Sequence, residues 1–389
     1  MAAPLPVVII GAGMAAYGVA REFRKLDKTT PLVMVSDDGG GSYAKPMLSN
    51  AFALGKDAAQ LVSQSAEQMA ATLDAQVLTR TEVVAIDSAA RTIETAQGER
   101  IGYSQLVLAL GALPIRLPIE GAGASEILSV NHVEDYAVMR DKIAALGRPA
   151  RVAILGAGLI GCEFADDLVA GGHQVTLIDP NPRPLAALAA PALSDALAKA
   201  WEALPITLKL GTTAARVGRG EGGLVVSLAD GSSVEADVVL SAVGLRPSIA
   251  LAKSAQLETR RGIVIDGFGQ TSAPGIYALG DCAEYSTAAG GAVLPYISPL
   301  LTAARAIGAT LAGTPTPIEL KADAVLVKTP SLKLALAPPP AGSSGEWVSA
   351  DDGERTISRF LDAQGIVRGF GLSLHTPALR QALLAELDK

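Results

Sequence analysis

Two short glycine motifs are the strongest chemical signals in the sequence. One begins at Gly11 and reads Gly-Ala-Gly-Met-Ala-Ala, and the other begins at Gly156 and reads Gly-Ala-Gly-Leu-Ile-Gly. Each motif follows an apolar run of strand length and opens a helical pattern. A glycine turn between a strand and a helix lets the backbone approach phosphate groups, and the helix N-terminus offers them N–H donors and partial positive charge. The spacing therefore predicts two sites for dinucleotides.

The small residues of the first motif have separate roles. Gly11 permits the tight turn, Gly13 removes a side chain where the backbone would meet the pyrophosphate, and Ala16 permits close packing of helix on strand. The next strand is expected to end at Ser36-Asp37, where a carboxylate can accept hydrogen bonds from a ribose. The residues predicted to contact this first dinucleotide are Gly11, Ala12, Gly13, Met14, Ala15, Ser36 and Asp37.

The second motif has a glycine at all three positions: Gly156, Gly158 and Gly161. Asp179 ends the next predicted strand, 23 residues after the first of these glycines. A carboxylate there would bind the adenosine ribose 2′-hydroxyl and repel a 2′-phosphate, which favours NADH over NADPH. Arg183 is the nearest basic residue after it, and a capping role or a surface salt bridge is the alternative to phosphate binding.

Cysteine and histidine usage excludes several kinds of redox site. The chain has two cysteines, Cys162 and Cys282, and three histidines, all widely spaced. No C-x-x-C pair and no metal-ligand spacing is present, so a disulfide framework, a zinc site and a dithiol centre are not expected. Each cysteine is expected to be a small packed apolar residue. Any redox chemistry must come from a bound cofactor.

Composition describes a folded protein with large cores. The 389 residues are 49% hydrophobic and 18% charged, which suits two or three globular domains. A net charge of −7 argues against non-specific binding to nucleic acid. No apolar run reaches the roughly 18 residues that a bilayer span needs. The N-terminus lacks the basic region of a signal peptide, so a cytoplasmic enzyme is expected.

The elements that must position these motifs occur twice along the chain. Strand, helix and strand patterns surround each glycine motif about 145 residues apart, and this alternation predicts parallel sheets. The segment Thr79–Ile101 alternates like a small antiparallel meander, and an Asp-Gly turn predicts a hairpin within residues 224–247. A helix is expected to start near Pro299, with Ser298 as its N-cap and Gly313 past its end.

A further motif, TSAPGIYALGDCAE, resembles the second FAD signature of the flavoprotein oxidoreductases that bind two dinucleotides. The resemblance implies that Asp281 binds the ribityl chain of the flavin and that Gly280 lets the backbone approach it. The strand QLVLALGALP corresponds to a short element of the same superfamily, although Leu110 stands where threonine is commoner. The order of motifs along the chain is that of this superfamily.

Several segments point to a narrower group. SYAKPMLSNAF, GAGLIGCEFADDL, SAVGLRP, ISPLLTAARA and VLVKTP resemble the rubredoxin–NAD(+) reductases over residues 7 to about 335. The resemblance implies FAD as the prosthetic group, NADH as the hydride donor and the iron protein rubredoxin as the electron acceptor. The Ala- and Gly-rich loop Tyr285–Tyr296 is a departure, because it is slightly longer than in that family.

The same resemblance implies roles for five residues. Lys45 and Glu163 would form an ion pair at the N5 edge of the flavin and are the predicted catalytic residues. Lys328 would lie close to the flavin, the N–H of Ile297 would face its N1/O2 end, and Val83 would meet the adenine through its backbone. The alternatives are a first-turn carboxylate favoured by the helix dipole for Glu163, surface lysines for the two lysines, and a plain strand residue for Val83.

The predicted fold is α/β with two Rossmann-like dinucleotide-binding domains and a small C-terminal α+β domain. The expected boundaries are 1–105 and 245–320 for the FAD domain, 106–244 for the inserted NADH domain and 321–389 for the C-terminal domain. The short C-terminus favours a monomer. Two alternative functions stay open: an NADH:ferredoxin reductase of an oxygenase system, and an NADH-sensing flavoprotein whose output is a partner interaction.

Overall fold

The computed structural model describes residues 4–287 and 290–387. The α-helices are α1 Met14–Leu26, α2 Ala58–Leu61, α3 Ala66–Leu73, α4 Val133–Ala144, α5 Leu159–Ala170, α6 Pro191–Trp201, α7 Ala250–Ser254, α8 Ile297–Leu311 and α9 Pro377–Leu387. Short 3₁₀ helices span Lys45–Asn50, Ala124–Glu126 and Gly280–Cys282. Within the described residues, no helix is both long and apolar enough to cross a membrane.

The strands before residue 180 are β1 Val7–Ile10, β2 Leu32–Val35, β3 Gln76–Leu78, β4 Val83–Asp87, β5 Thr92–Thr95, β6 Arg100–Gly102, β7 Gln105–Leu108, β8 Ala112–Pro114, β9 Arg151–Leu155 and β10 Gln174–Asp179. Those that follow are β11 Ile206–Leu210, β12 Ala214–Gly220, β13 Gly223–Leu228, β14 Ser233–Ala236, β15 Val238–Ser241, β16 Leu245–Pro247, β17 Ile263–Val264, β18 Ile276–Ala278, β19 Ala283–Thr287, β20 Gly290–Ala292, β21 Val325–Val327, β22 Leu334–Ala337, β23 Gly345–Asp351, β24 Thr356–Asp362 and β25 Val367–Ser373.

The chain divides into two compact units. The first unit consists of Met1–Lys45, Val62–Leu113 and Leu245–Lys321. The second unit consists of Pro46–Leu61, Pro114–Gly244 and Ala322–Lys389. The three-domain boundaries expected from the sequence stay a prediction.

The first unit is built on a parallel sheet with the strand order β18-β7-β1-β2-β3. All four residues of β1 and of β2 are buried, as expected for strands that helices cover on both faces. Helix α1 packs against α8 so closely that a methyl group added at Gly18 would lie 3.1 Å from the Cβ of Ala304. The order is that of a Rossmann half, and it confirms the first predicted strand–helix–strand unit.

Two further predictions fall in the first unit, and one is wrong. Strands β4, β5 and β6 form the expected antiparallel meander. Helix α8, however, begins at Ile297 with Tyr296 as its N-cap, two residues before the predicted start at Pro299 with Ser298 as cap. Pro299 is tolerated at the third helical position because the first N–H groups of a helix have no intrahelical acceptor. Gly313 lies past the helix end, as predicted.

The Ala- and Gly-rich loop noted in the sequence is mainly a hairpin. Strands β19 and β20 pair antiparallel, with Tyr285 opposite Ala292 and Thr287 opposite Gly290. The two alanines between the strands, 288 and 289, lie outside the described residues. Whether this loop is longer than in the related reductases stays a prediction.

The second unit contains a second parallel sheet with the order β11-β10-β9-β15. Helix α5 follows β9 and leads into β10, which confirms the second predicted strand–helix–strand unit. The hairpin predicted from the Asp-Gly turn is also present, as β13 paired antiparallel with β14. The duplicated architecture expected from the two glycine motifs is therefore present.

The C-terminal part of the second unit is an antiparallel sheet with the order β21-β22-β25-β24-β23, followed by α9. Phe370 and Leu372 on β25 are buried against Leu383 on α9. The other side of β25 meets α6, because a methyl group added at Gly371 would lie 2.3 Å from a terminal carbon of Leu193. This small α+β part is thereby packed on the helix that follows β10.

Candidate functional site

The first glycine turn packs against the backbone after β7 at its first glycine and faces open space at its second. Gly11 has a φ of +119°, and a Cβ at this position would lie 2.5 Å from the carbonyl oxygen of Ala109. Among the described residues, a Cβ at Gly13 would meet no atom within 4 Å apart from its neighbours in the chain. Gly13 is also the N-cap of α1 and provides no side-chain acceptor for the first N–H groups of that helix. The turn therefore fits a phosphate group that accepts from these N–H donors.

The second glycine turn has the same form. Gly156 has a φ of +106°, and a Cβ there would lie 2.6 Å from the carbonyl oxygen of Ala242. Gly158, the N-cap of α5, has open space where its Cβ would be. A Cβ at Gly161 would lie 1.9 Å from the carbonyl oxygen of Gly156, so this position cannot take a side chain without a shift of the helix. The residues present thus fit two dinucleotides.

The acidic residues after β2 differ from the sequence prediction in their placement. The strand ends at Val35, and Asp37 is exposed, whereas Ser36 is buried. The next carboxylate, Asp38, accepts hydrogen bonds from Ser36 Oγ at 2.7 Å and from the N–H of Gly40 at 2.8 Å. Binding of a ribose by Ser36 and Asp37 stays a prediction.

Asp179 ends β10 and is buried. Its carboxylate accepts from the N–H of Ala157 in the glycine turn at 2.7 Å, and from the N–H and the side-chain amide of Asn181 at 2.8 Å. Arg183 is bonded to Asp195 at 2.7 Å, with both side chains substantially exposed. This is the surface salt bridge that the sequence left open for Arg183.

A threonine that the sequence analysis did not single out lies beside Asp179. The N–H of Thr212 donates to the carbonyl oxygen of Asp179 at 3.2 Å. Its side-chain oxygen is buried and has no hydrogen-bond partner among the described residues. A polar ligand at the end of β10 would satisfy this hydroxyl.

Glu163 and Lys328 form a partly buried ion pair. The carboxylate of Glu163 binds the ammonium of Lys328, and it also accepts from the main-chain N–H of Lys328 at 3.0 Å. Ser49 donates to the same carboxylate at 2.8 Å and accepts from the Lys328 ammonium at 2.8 Å. Glu163 and Ser49 are buried, so the charge of the carboxylate is balanced in place by these partners.

The sequence analysis named Glu163 and Lys328 but paired Glu163 with Lys45. The Glu163–Lys45 pairing stays a prediction, whereas the Glu163–Lys328 pairing is present. Ser49 was missed. Its position within the KPMLSN stretch that begins at Lys45 was the available signal, but a lone serine is too common to single out.

Lys45 acts on Asp281 within the first unit. Burial raises the pKa of the Asp281 carboxyl, and the positive charge of Lys45 opposes this rise. Gly280 has a φ of +73°, and its N–H donates to the hydroxyl of Tyr285 at 2.9 Å. The predicted flavin-binding pair of Gly280 and Asp281 is therefore held on a fixed turn with a half-buried carboxylate.

The remaining predicted positions lie at element ends. Ile297 is the first residue of α8, where N–H groups have no intrahelical acceptor. Val83 begins β4 and pairs with Thr95 on β5. The contacts predicted for these two residues with the flavin and the adenine stay predictions.

Both cysteines are free and buried. Burial raises the pKa of the Cys282 thiol to about 11 and raises that of Cys162 as well. The two thiols donate to main-chain carbonyls, Cys162 to Ala157 and Cys282 to Leu279. Their expected role as packed residues is confirmed. Among the described residues, no group of three or more His, Cys, Asp or Glu side chains could hold a metal ion.

Two glycine turns lie at the N-termini of helices that follow strands of parallel sheets, and Glu163 on the second helix forms a partly buried ion pair with Lys328. These features fit a protein that binds two dinucleotides. Residues 5–306 match the family described as pyridine nucleotide-disulphide oxidoreductase. The chain belongs to this family, and the FAD and NADH expected from the sequence are thereby confirmed. Residues 317–387 match a second family, described as rubredoxin binding C-terminal domain.

Individual relatives narrow the group. The chain is 43% identical to a rubredoxin–NAD(+) reductase of Alcanivorax borkumensis, over 95% of this chain and 94% of that protein. It is 42% identical to a rubredoxin–NAD(+) reductase of Acinetobacter baylyi, over 98% of this chain and 97% of that protein. A crystal structure of a covalent putidaredoxin reductase–putidaredoxin complex is similar with a TM-score of 0.89 and 25% identity, over 99% of this chain and 94% of that one. The resemblance read from the motifs is confirmed.

Proposed function

We propose that this protein is an FAD-dependent NADH:rubredoxin reductase. The observation that carries the proposal is the ion pair of Glu163 and Lys328. Lys328 belongs to the segment that matches the rubredoxin-binding domain, and Glu163 lies on the helix that begins at the second glycine turn. The side chain of Lys328 thus connects the part assigned to the acceptor with the part assigned to the donor.

The two dinucleotides would be held by the chain's own N–H donors and carboxylates. The turn from Gly11 to Ala15 would bind the FAD pyrophosphate, and the turn from Gly156 to Gly161 would bind that of NADH. FAD held there would supply the chemistry that takes a hydride from NADH and passes single electrons to an iron protein. Lys45, Asp281 and the N–H of Ile297 would orient the flavin in the first unit.

Glu163 and Lys328 would present a fixed pair of opposite charges to the flavin. Each group alone would be costly where water is excluded, but together they are neutral and hold each other in one position. Ser49 adds a donor to the carboxylate and an acceptor to the ammonium. These contacts leave the pair little freedom to reorient, and catalysis by positioning depends on such fixed groups.

NADH is the proposed donor because of the residues at the end of β10. Asp179 is buried and carries a carboxylate where a 2′-phosphate would have to lie. Arg183, the nearest candidate for a phosphate contact, is occupied by Asp195. Both observations disfavour NADPH.

Rubredoxin is proposed over the alternative acceptors because of the C-terminal match at 317–387. A ferredoxin reductase is the second candidate, and the similarity to a putidaredoxin reductase is the observation that favours it. The expectations of a monomer and of a cytoplasmic location stay predictions, as does the NADH-sensing alternative.

The acceptor experiment separates the two reductase candidates. The purified protein should show flavin absorption that NADH bleaches, and it should then reduce rubredoxin at least tenfold faster than a [2Fe–2S] ferredoxin. Reduction of disulfides should be negligible, because both thiols are buried. A ferredoxin that is the better acceptor by tenfold would reject the assignment to rubredoxin.

A further inference from the structure

Helix α5 carries three buried carboxylates on one face. Glu163, Asp166 and Asp167 are spaced three and four residues apart, so they project from the same side of the helix. Their exposed fractions are 2%, 4% and 1%. Carboxylates buried so close together are costly unless each accepts hydrogen bonds. Their hydrogen-bond donors therefore identify the segment that packs on this face of the helix.

Two of these carboxylates bind the same distant segment through its main chain. Glu163 accepts from the N–H of Lys328 at 3.0 Å, and Asp166 accepts from the N–H of Ser331 at 3.2 Å. Main-chain donors fix the path of the backbone and not only the side chains. Residues 328–331 are thereby bound to α5 at both ends of the segment, at Lys328 and at Ser331.

Asp166 lies within a closed group of hydrogen bonds. Its second carboxylate oxygen accepts from the indole N–H of Trp201 at 2.8 Å and from the hydroxyl of Ser331. The same indole N–H lies 3.0 Å from the Ser331 hydroxyl. Trp201 is buried, so the position of Asp166 is set by a rigid side chain on α6.

The segment between the two anchor points is a tight turn. The N–H of Leu332 donates to the carbonyl oxygen of Thr329 at 3.0 Å, and Thr329 Oγ1 donates to the carbonyl oxygen of Leu332 at 2.7 Å. Pro330 occupies the second position of this turn, where its fixed φ is favourable. Because these two hydrogen bonds close the turn, we expect a displacement of Ser331 to shift Lys328 as well.

We infer that Asp166 is a positioning residue for Lys328. By holding Ser331 on α5, it sets the backbone from which the Lys328 ammonium reaches Glu163 and Ser49. The inference rests on the proposed function, in which this ammonium influences the bound flavin. Asp166 itself touches neither Glu163 nor the Lys328 side chain through any of the bonds described above, so it acts through the turn.

The test is a double-mutant cycle on the holoenzyme, read as the midpoint potential of the bound FAD and the rate of its reduction by NADH. Asp166→Asn keeps the size of the side chain but loses an acceptor oxygen. We expect it to shift the potential and to slow flavin reduction about tenfold. In the Lys328→Met background, it should cause no further shift, because the group it positions is gone. Glu202→Gln, an exposed acid next to Trp201 in the chain, is the control and should change neither reading.

An equal shift of the potential in both backgrounds would show that Asp166 is merely structural, and no shift in either would also overturn the inference. If Asp166→Asn does not fold, Ser331→Ala removes only the hydroxyl contact and should give a smaller shift that Lys328→Met again abolishes. Hydrogen exchange of residues 328–331 gives an independent reading, which should be faster in the Asp166 variant. Failure of the proposed function would show differently, as a wild-type protein without flavin absorption or without bleaching by NADH.

Discussion

In the first unit the last small residue of the glycine turn is Ala16, whereas the second unit has Gly161 at the corresponding place. Ala16 is buried with its methyl group in place. A methyl group at Gly161 would lie 1.9 Å from the carbonyl oxygen of Gly156. Helix α5 therefore lies closer to its glycine turn than α1 does.

The helices also differ in what they pack against. Helix α1 meets α8 through small residues, and a methyl group added at Gly308 would lie 2.7 Å from the Cβ of Glu22. Helix α5 instead uses its buried carboxylates to bind main-chain N–H groups of remote segments. The strand ends differ too, since Asp179 is buried and Asp37 is exposed.

Features common to both glycine turns are the ones that phosphate binding would require. In each turn the first glycine has a positive φ, and an added Cβ at the second glycine would point into open space. The residues behind the turn are specialised, for helix packing in the first unit and for fixing charged groups in the second. Substitutions at corresponding positions should therefore have unequal effects.

The largest expected difference is between Gly161→Ala and its counterpart Ala16→Gly. Gly161→Ala forces the helix away from the turn and should lower the free energy of unfolding by about 3 kcal/mol, at the upper end of overpacking effects. Ala16→Gly removes a buried methyl group and places glycine in a helix, and it should lower the free energy of unfolding by about 1 kcal/mol. Urea unfolding of both variants measures the difference. Equal losses would mean that the two helices sit equally close to their turns.

The strand-end carboxylates should differ in nucleotide selection. With wild-type protein, kcat/KM for NADH should exceed that for NADPH at least tenfold, which corresponds to about 1.4 kcal/mol. Asp179→Ala combined with Asn181→Arg should lower this ratio. The carboxylate that repels a 2′-phosphate is removed, and a cation that can bind one is introduced two residues away. Asp37→Ala is the matched control in the first unit and should leave the ratio unchanged. A wild-type enzyme equally efficient with both nucleotides would remove the role of Asp179.

A smaller effect concerns pH and the carboxylate of Asp167. Burial raises its pKa to about 6, although the N–H groups of Ala53 and Phe52 oppose the rise. In the folded protein Asp167 therefore binds a proton more tightly than in the unfolded chain. The free-energy cost of burying the charged carboxylate is lost as the pH falls through about 6 and the group becomes protonated. Between pH 7.5 and 5, Asp167 should add about 1 kcal/mol to stability.

Asp167→Asn should lose this pH-dependent gain, as measured by urea unfolding at the two pH values. Asp37→Asn, which changes an exposed acid after β2 in the first unit, should retain the wild-type difference. An Asp167 variant with the full wild-type gain would show that other groups produce it.

The features predictable from the sequence are those encoded locally. Both glycine turns, the strands before them and the hairpin at the Asp-Gly turn depend on residues that are neighbours in the chain. The start of α8 was misplaced by two residues because proline is tolerated throughout the first helical turn, so Pro299 did not mark its beginning.

The interactions that escaped prediction join distant residues. Ser49 meets Glu163 across 114 positions, and Ser331 meets Asp166 across 165. The sequence does not distinguish a buried carboxylate on a helix from an exposed one, because its hydrogen-bond partners lie far away along the chain. The sequence analysis singled out Glu163 but neither Asp166 nor Asp167, because only the fold shows that this face of the helix is covered.

In the proposed function the first turn holds FAD and the second holds NADH. Gly13→Val and Gly158→Val test this assignment, because among the described residues a Cβ at either position meets no atom within 4 Å apart from its neighbours in the chain and should disturb only the bound phosphates. The measurement is the absorption spectrum of each purified variant during titration with NADH. Gly13→Val should lack flavin absorption, whereas Gly158→Val should keep it and lose bleaching by NADH. Loss of flavin from Gly158→Val, with normal flavin binding in Gly13→Val, would contradict the account.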